Sequence, residues 1–175
     1  MINEIRYETF QKDVDYQLSS IFLAGPTVRG NQTHLTSWRF AAIDEFKKQR
    51  FEGNLIIPEF SSKTESDQVR YDLPVWEFEG LIKCHAIMFW IPRTKELIGL
   101  TTNHEMGYWM ARDRDKVVYG RPNDAYRMSY LDIMWVEDNK NRFAKNSGAP
   151  IYTTLEKTVS ASIGKADRKY ISENL

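Results

Sequence analysis

A three-layer α/β fold, with a mostly parallel five-stranded sheet between two layers of helices, is predicted by three observations. Short apolar runs of strand length recur along the chain, most of them closed by Gly or Pro. Longer segments with helical periodicity lie between them. Their alternation is that of right-handed βαβ units, whose crossovers cover a parallel sheet on both faces. The 175 residues suit one domain with a real core. A single domain over 1–175 is therefore expected, flavodoxin-like or Rossmann-like, with its core over about residues 20–165.

In chain order, the predicted strands are SIFLAG (20–25), NLIIPEF (54–60), HAIMFWIP (85–92) and KVVYGRP (116–122), with APIYTT (149–154) as the fifth. The helices expected between them cover 33–50, 72–83 and 102–113, and a last one opens over LEKTVSASIG. Asp72 is placed to cap the second helix, and Pro74 falls in its first turn, where a missing N–H costs little. Thr102-Asn103-His104-Glu105 has the T-x-x-E form of a capping box for the third. The chain ends, about 18 residues at the front and about 10 at the back, are expected to be peripheral.

Composition narrows the function classes. With 24 basic and 24 acidic residues the formal net charge is zero, so the basic footprint of a dedicated nucleic-acid binder is missing. One cysteine excludes an internal disulfide framework, and three scattered histidines offer no zinc-ligand spacing. Neither a metal nor a cofactor is implied: the chain has no G-x-x-x-x-G-K-[ST] loop and no G-x-G-x-x-G fingerprint. The polar start MINEIRYETFQKDVDYQ does not read as a signal peptide, and no segment is apolar enough to span a bilayer. These features predict a soluble cytoplasmic protein that acts on a small molecule, without membrane or nucleic-acid polymer as partner.

In open α/β sheets, ligands bind beyond the carboxyl ends of the strands at a topological switch point. This directs attention to the loops 25–31, 58–72, 92–103 and 120–130. In the first, Gly25, Pro26, Thr27, Arg29 and Gly30 precede a helix and suit either a sugar or phosphate cradle or an ordinary strand-to-helix turn. Glu105 follows the third loop directly, as a cap or as a reactive group. Glu77 and Glu79 lie on the helix before the third strand. Leu73, Glu77 and Leu81 form one stripe, while Val75, Phe78 and Ile82 form a rival stripe that passes Glu79, so periodicity does not choose between the two carboxylates. A buried carboxyl there would hold its proton and serve as an acid. His85 reads as a structural strand-opening residue, His104 as a site-edge residue, and Arg93 as a surface arginine or an anion contact. The aromatics Phe89, Trp90, Tyr108 and Trp109 supply core first and base-stacking surface second.

Several motifs combine into a resemblance. FLAGP (22–26), the pair Trp76-Glu77 followed by Leu81, MFWIPR (88–93), TTNHEMGYWMA (101–111) and VVYGRPNDAYRMSYLDIMW (117–135) occur in an order that resembles the nucleoside 2-deoxyribosyltransferase family, in particular its "like" branch. The resemblance implies a glutamate nucleophile that attacks C1′ of a 2′-deoxynucleoside, releases the base and forms a covalent deoxyribosyl-enzyme. Its motif N-x-E-x-G-Y matches Asn103, Glu105, Gly107 and Tyr108, which makes Glu105 the nucleophile. Glu77, matched on the tryptophan-glutamate pair, becomes the acid that protonates the leaving base, and both carboxylates must then face one side of the sheet. A carboxylate nucleophile must stay ionised, and a helix N-terminus favours the anion.

Gly25, Pro26, Thr27, Arg29, Asn103, Arg93 and Asp124 are the expected substrate-binding residues, with Arg121 and Asn123 also at the rim. The chain departs from the family pattern where Cys84-His85 replaces Ala-Asp and where Thr101 or Thr102 replaces an acidic residue. The resemblance further implies a nucleoside or nucleotide and a free nucleobase as partners, and a homo-oligomer, a dimer or higher. A hydrolase of nucleoside 5′-monophosphates in the same superfamily and a non-catalytic nucleotide-binding module are the alternatives.

Overall fold

The computed structural model describes residues 1–6, 14–29, 32, 34–59, 73–142 and 149–174. Five strands, β1 (Ile2–Arg6), β2 (Ser20–Ala24), β3 (Gly53–Ile57), β4 (Ala86–Trp90) and β5 (Val117–Gly120), form one sheet in the order β1-β3-β2-β4-β5. Every pairing is parallel. The helices are α1 (Trp38–Lys48), α2 (Leu73–Lys83), α3 (Leu100–Arg112), α4 (Ser129–Arg142) and α5 (Leu155–Asn174), with a short 3₁₀ turn at Arg114–Lys116. The fold is a three-layer α/β sandwich of the flavodoxin-like and Rossmann-like kind.

Strands β2, β3 and β4 are buried at every position, as expected of parallel strands covered on both sides. Alternate residues feed two cores. Phe22, Ile56, Ile87 and Phe89 meet Leu81 of α2, Met106 and Trp109 of α3, and Leu131 and Trp135 of α4. Ile21, Leu23, Leu55, Met88 and Trp90 meet Trp38 and Phe46 of α1 and Val159 and Ala166 of α5. Helices α2 and α3 thus share one layer, with Phe78 and Tyr108 touching at a ring separation of 6.0 Å.

The predicted central strands are present, and the four predicted helices appear as α1, α2, α3 and α5, with shifted ends. Helix α1 begins only at Trp38, where Ser37 caps it by accepting the Arg39 N–H. The fifth strand is a correction: Ile2–Arg6 pairs with β3 at the sheet edge, while 149–154 contributes a single bridge between Gly120 and Tyr152. Strand β1 is partly exposed and bonded on one side, so it needs no apolar run to announce it. Neither chain end is wholly peripheral, because α5 runs to Asn174 and buries Ala166. Helix α4 lies within a stretch assigned no helix from sequence.

The capping box is a second correction. Helix α3 starts at Leu100, two residues before Thr102, and its N-cap is Gly99 in the left-handed region (φ 63°, ψ 61°) with no side-chain cap bond. A Cβ at Gly99 would lie 2.9 Å from Pro26 Cβ, so the glycine lets α3 start against the Gly25–Pro26 loop. Thr102 is buried inside the helix. Asp72 lies outside the described residues, while Pro74 sits in the first turn of α2 as expected.

Candidate active site

From β2 the chain crosses to β3 on one side and later to β4 on the other, so the topological switch point lies between β2 and β4. The loop leaving β2 is held there by an unusual residue. Arg39, 1% exposed, enters from α1 and donates through Nε to the Leu23 carbonyl (3.1 Å) and through Nη2 to the Gly25 carbonyl (2.9 Å). Its Nη1 donates to the Pro26 carbonyl (3.4 Å), Thr27 Oγ1 (3.2 Å) and Glu59 Oε2 (3.3 Å). Ser37 Oγ donates to the same Glu59 oxygen at 2.6 Å, and Trp38 Nε1 donates to the Pro26 carbonyl at 2.9 Å. At Gly25 (φ 152°) a Cβ would lie 2.3 Å from the Trp90 carbonyl oxygen, so only glycine lets the ends of β2 and β4 approach this closely.

Glu77 of α2 and Glu105 of α3 come to this edge from the same helical layer. Both are partly buried. Burial raises the Glu105 carboxyl to about 7, against the pull of Arg39. Burial, and then the neighbouring Glu105 charge, raise Glu77 to about 7, against Arg39 and Arg29. Each of the two carboxyls therefore lies near the midpoint of its titration at neutral pH. That state differs from the permanently ionised Glu105 expected at a helix N-terminus: Glu105 is the sixth residue of α3, past the turn where the macrodipole acts. Between the two stripes of α2 the structure chooses Glu77. Val75, Phe78 and Ile82 face solvent, and Glu79 is exposed and paired with Lys83 Nζ at 3.5 Å.

The other expected site residues divide. Gly25, Pro26 and Thr27 form the loop bound by Arg39, and Arg29 is exposed but near enough for its charge to act on Glu77. Gly30 lies outside the described residues. Arg93 is buried rather than a surface residue: it donates to Asn103 Oδ1 and to the Arg127 carbonyl (3.4 Å), and its Nε has no partner among the described residues. Arg93 and Asn103 thus form a second polar cluster, tied to the loop after β5. In that loop Asn123 and Asp124 are exposed, whereas Arg121 is locked in a two-pronged pair with Asp132 (2.6 to 3.1 Å). His104 is exposed. His85 accepts the Ser20 N–H and meets Ser20 Oγ at 2.7 Å, at the amino end of the strands, opposite the carboxylates. A cleft of about 290 Å³ between β5 and α5, bordered by Tyr119, Trp135, Tyr152 and Lys165, includes neither carboxylate.

Arg39 and Glu59 were not singled out from sequence. Arg39 sits in an ordinary helical WRFAA stretch, and its burial follows from tertiary placement alone. No group of three or more His, Cys, Asp or Glu suited to a metal occurs among the described residues. In comparisons with known proteins, no family model matches the chain and no curated sequence is significantly similar to it.

Proposed function

We propose that this chain transfers the deoxyribosyl group of 2′-deoxynucleosides between nucleobases through a covalent ester on Glu105. The observation that carries the reading is the pair Glu77 and Glu105 at the switch point, each balanced near pH 7. A glycosyl transfer needs one carboxylate and one carboxylic acid at the same time, and two like-charged neighbours that do not readily ionise together supply that state. Ionised Glu105 attacks C1′, the C1′–N bond breaks, and its electron pair leaves with the base, which takes the proton from Glu77. In the second half, an incoming base attacks C1′, the ester bond breaks back to the Glu105 carboxylate, and Glu77 recovers a proton from that base.

Exposed Arg29, whose charge acts on Glu77, favours a second reading in which a nucleoside 5′-monophosphate binds and water replaces the incoming base. A homo-oligomer belongs to the proposal. It is supported by apolar side chains left exposed on α2 (Val75, Phe78) and α4 (Tyr130, Ile133, Met134). So does a cytoplasmic location, in keeping with the lone, buried Cys84.

The test is a chromatographic assay with 2′-deoxynucleosides and their 5′-monophosphates, each with and without a second free base. A new nucleoside built on the added base supports transfer. Free base released without exchange, from monophosphates only, moves the assignment to the hydrolase. Ligand binding without turnover, seen as a melting shift, leaves a nucleotide-binding module.

A further inference from the structure

We propose that the cleft beside β5 binds a small organic anion, whose carboxylate or phosphate head pairs with Lys165 and Arg168 and whose body lies along the open edge of the strand. The cleft includes neither Glu77 nor Glu105, so this site stands apart from the proposed transfer and does not depend on it. It exists because a sixth strand is begun and then broken off. The Ile91 N–H donates to the Gly120 carbonyl at 3.0 Å, so Gly120 and, two residues back, Val118 turn their backbone groups toward β4. Val117 and Tyr119 turn theirs outward. The Tyr119 carbonyl accepts the Tyr152 N–H at 3.0 Å, and the Arg121 N–H donates to the Tyr152 carbonyl at 2.8 Å, which starts a parallel ladder. One step back along that ladder stands Pro150, which has no N–H to give the Val117 carbonyl. That carbonyl accepts Arg114 Nη1 at 3.5 Å instead, and the Tyr119 N–H has no partner among the described residues. The gap that remains measures about 290 Å³, at the small end of ligand pockets.

Two cations stand on the α5 wall of this gap without a carboxylate. Lys165, half-buried, donates from Nζ to the Asp115 carbonyl at 2.7 Å, a neutral acceptor, and keeps two further N–H donors. Arg168, nearly one turn on and exposed, makes no hydrogen bond or ion pair among the described residues. The neighbouring cations are already paired, Arg114 with Asp138 at 3.2 Å and Lys169 with Asp113 at 3.1 Å. Burial, and then the charge of Arg114, lower the Lys165 ammonium, against Asp115 and Asp113. An anion entering between Lys165 and Arg168 relieves that cost. The α5 lining runs from Ser160 to Arg168, roughly 12 Å at the rise of a helix, so a bare ion fills only one end. Val117, Val118 and Ala161 offer apolar wall for a carbon skeleton, and the Tyr119 N–H and Ser160 hydroxyl offer polar contacts beyond it. Gly164 keeps α5 low here: a Cβ on it meets only Arg168 Nη1, at 3.4 Å.

The test is an amide ¹H–¹⁵N NMR titration of the full chain with succinate and, separately, with glycerol phosphate, at an ionic strength held constant with sodium chloride. Saturable shifts centred on the Tyr119, Lys165 and Arg168 amides are expected with at least one probe, and which probe saturates tells a carboxylate head from a phosphate. Arg168→Gln is expected to weaken binding by about tenfold or more, the loss of one charge-assisted hydrogen bond. Gly164→Leu, which fills the cleft while raising helix propensity, is expected to abolish it. Glu105→Gln is expected to bind as the wild type does. Failure of both probes to saturate overturns the proposal. So does binding that Arg168→Gln or a folded Gly164→Leu leaves unchanged, or that Glu105→Gln removes. Arg168 is exposed and supports no neighbour through a bond, so its variant decides the matter even if Gly164→Leu does not fold. The titration requires no turnover: a negative result leaves the glycosyl-transfer reading standing, and a protein inactive on every substrate leaves this site standing.

Discussion

Replacing Glu105 by glutamine should stabilise the protein at alkaline pH and leave its stability near that of the wild type under acid conditions. Burial raises the folded-state Glu105 carboxyl from 4.5 to about 7. Between those values the folded chain keeps a proton that the unfolded chain has released, so the folded state binds more protons and stability falls as pH rises. Below pH 4.5 both states are protonated and the group contributes nothing; above 7 the full cost is present. A rise of this size corresponds to about 3 kcal/mol, and solvent around a partly exposed carboxylate reduces it to roughly 2 kcal/mol. Glutamine removes that cost and withdraws the charge that helps raise Glu77, an effect of the same sign. Urea unfolding of wild type and variant at pH 4.5 and pH 8 provides the assay, because other titrating groups cancel in the difference. The expected outcome is a gain of roughly 2 kcal/mol at pH 8 over that at pH 4.5. A difference between the two proteins that does not change with pH would refute the burial of an ionisable Glu105.

Three other outcomes are expected. The kcat/KM profile should be bell-shaped with a narrow maximum near pH 7, since Glu105 must be ionised and Glu77 protonated while both carboxyls lie at about 7; a plateau from pH 5 to 9 would contradict the shared titration. Glu77→Gln should slow substrates with poor leaving bases by about 10²-fold or more and spare those whose base departs easily, as measured across a leaving-group series; equal losses throughout would remove its acid role. Gly25→Ala should cost about 3 kcal/mol or more in urea unfolding, because it adds a side chain at φ 152° and drives a Cβ to 2.3 Å from the Trp90 carbonyl; a loss under 1 kcal/mol would show that this edge yields.

What the sequence made legible follows its strongest periodic signals. The central strands announce themselves because they are buried on both faces and must be apolar at every position. Strand β1 has one neighbour and a partly wet face, so INEIR carries too little hydrophobic signal to stand out. Helix α4 was hidden for a related reason: Leu131 and Trp135 are buried while Tyr130, Ile133 and Met134 are exposed, which blurs any stripe. The T-x-x-E pattern misled because Gly99, free to adopt a positive φ, starts α3 a half-turn early and takes Thr102 inside.

At the site, motif matching named Glu77 and Glu105, and burial on the structure separates Glu77 from Glu79. Arg39 was illegible in principle. Nothing local in a helical arginine reveals that its guanidinium will end beneath a loop formed by residues 23 to 27, and only the βαβ crossover brings them together. Arg93 shows the same limit in reverse, a residue of surface type that the packing of β4 against the following loop makes buried.

The proposed transfer depends on a covalent bond from Glu105 to the sugar, and that bond can be trapped. The protein is mixed with a 2′-deoxynucleoside in the absence of acceptor base, quenched in acid and digested for mass spectrometry. One deoxyribosyl group is expected on the peptide containing Glu105, lost when free base is added before the quench and never formed in Glu105→Gln. Base exchange by the Glu105→Gln protein at the wild-type rate, or a sugar adduct on another residue, would contradict a covalent role for Glu105.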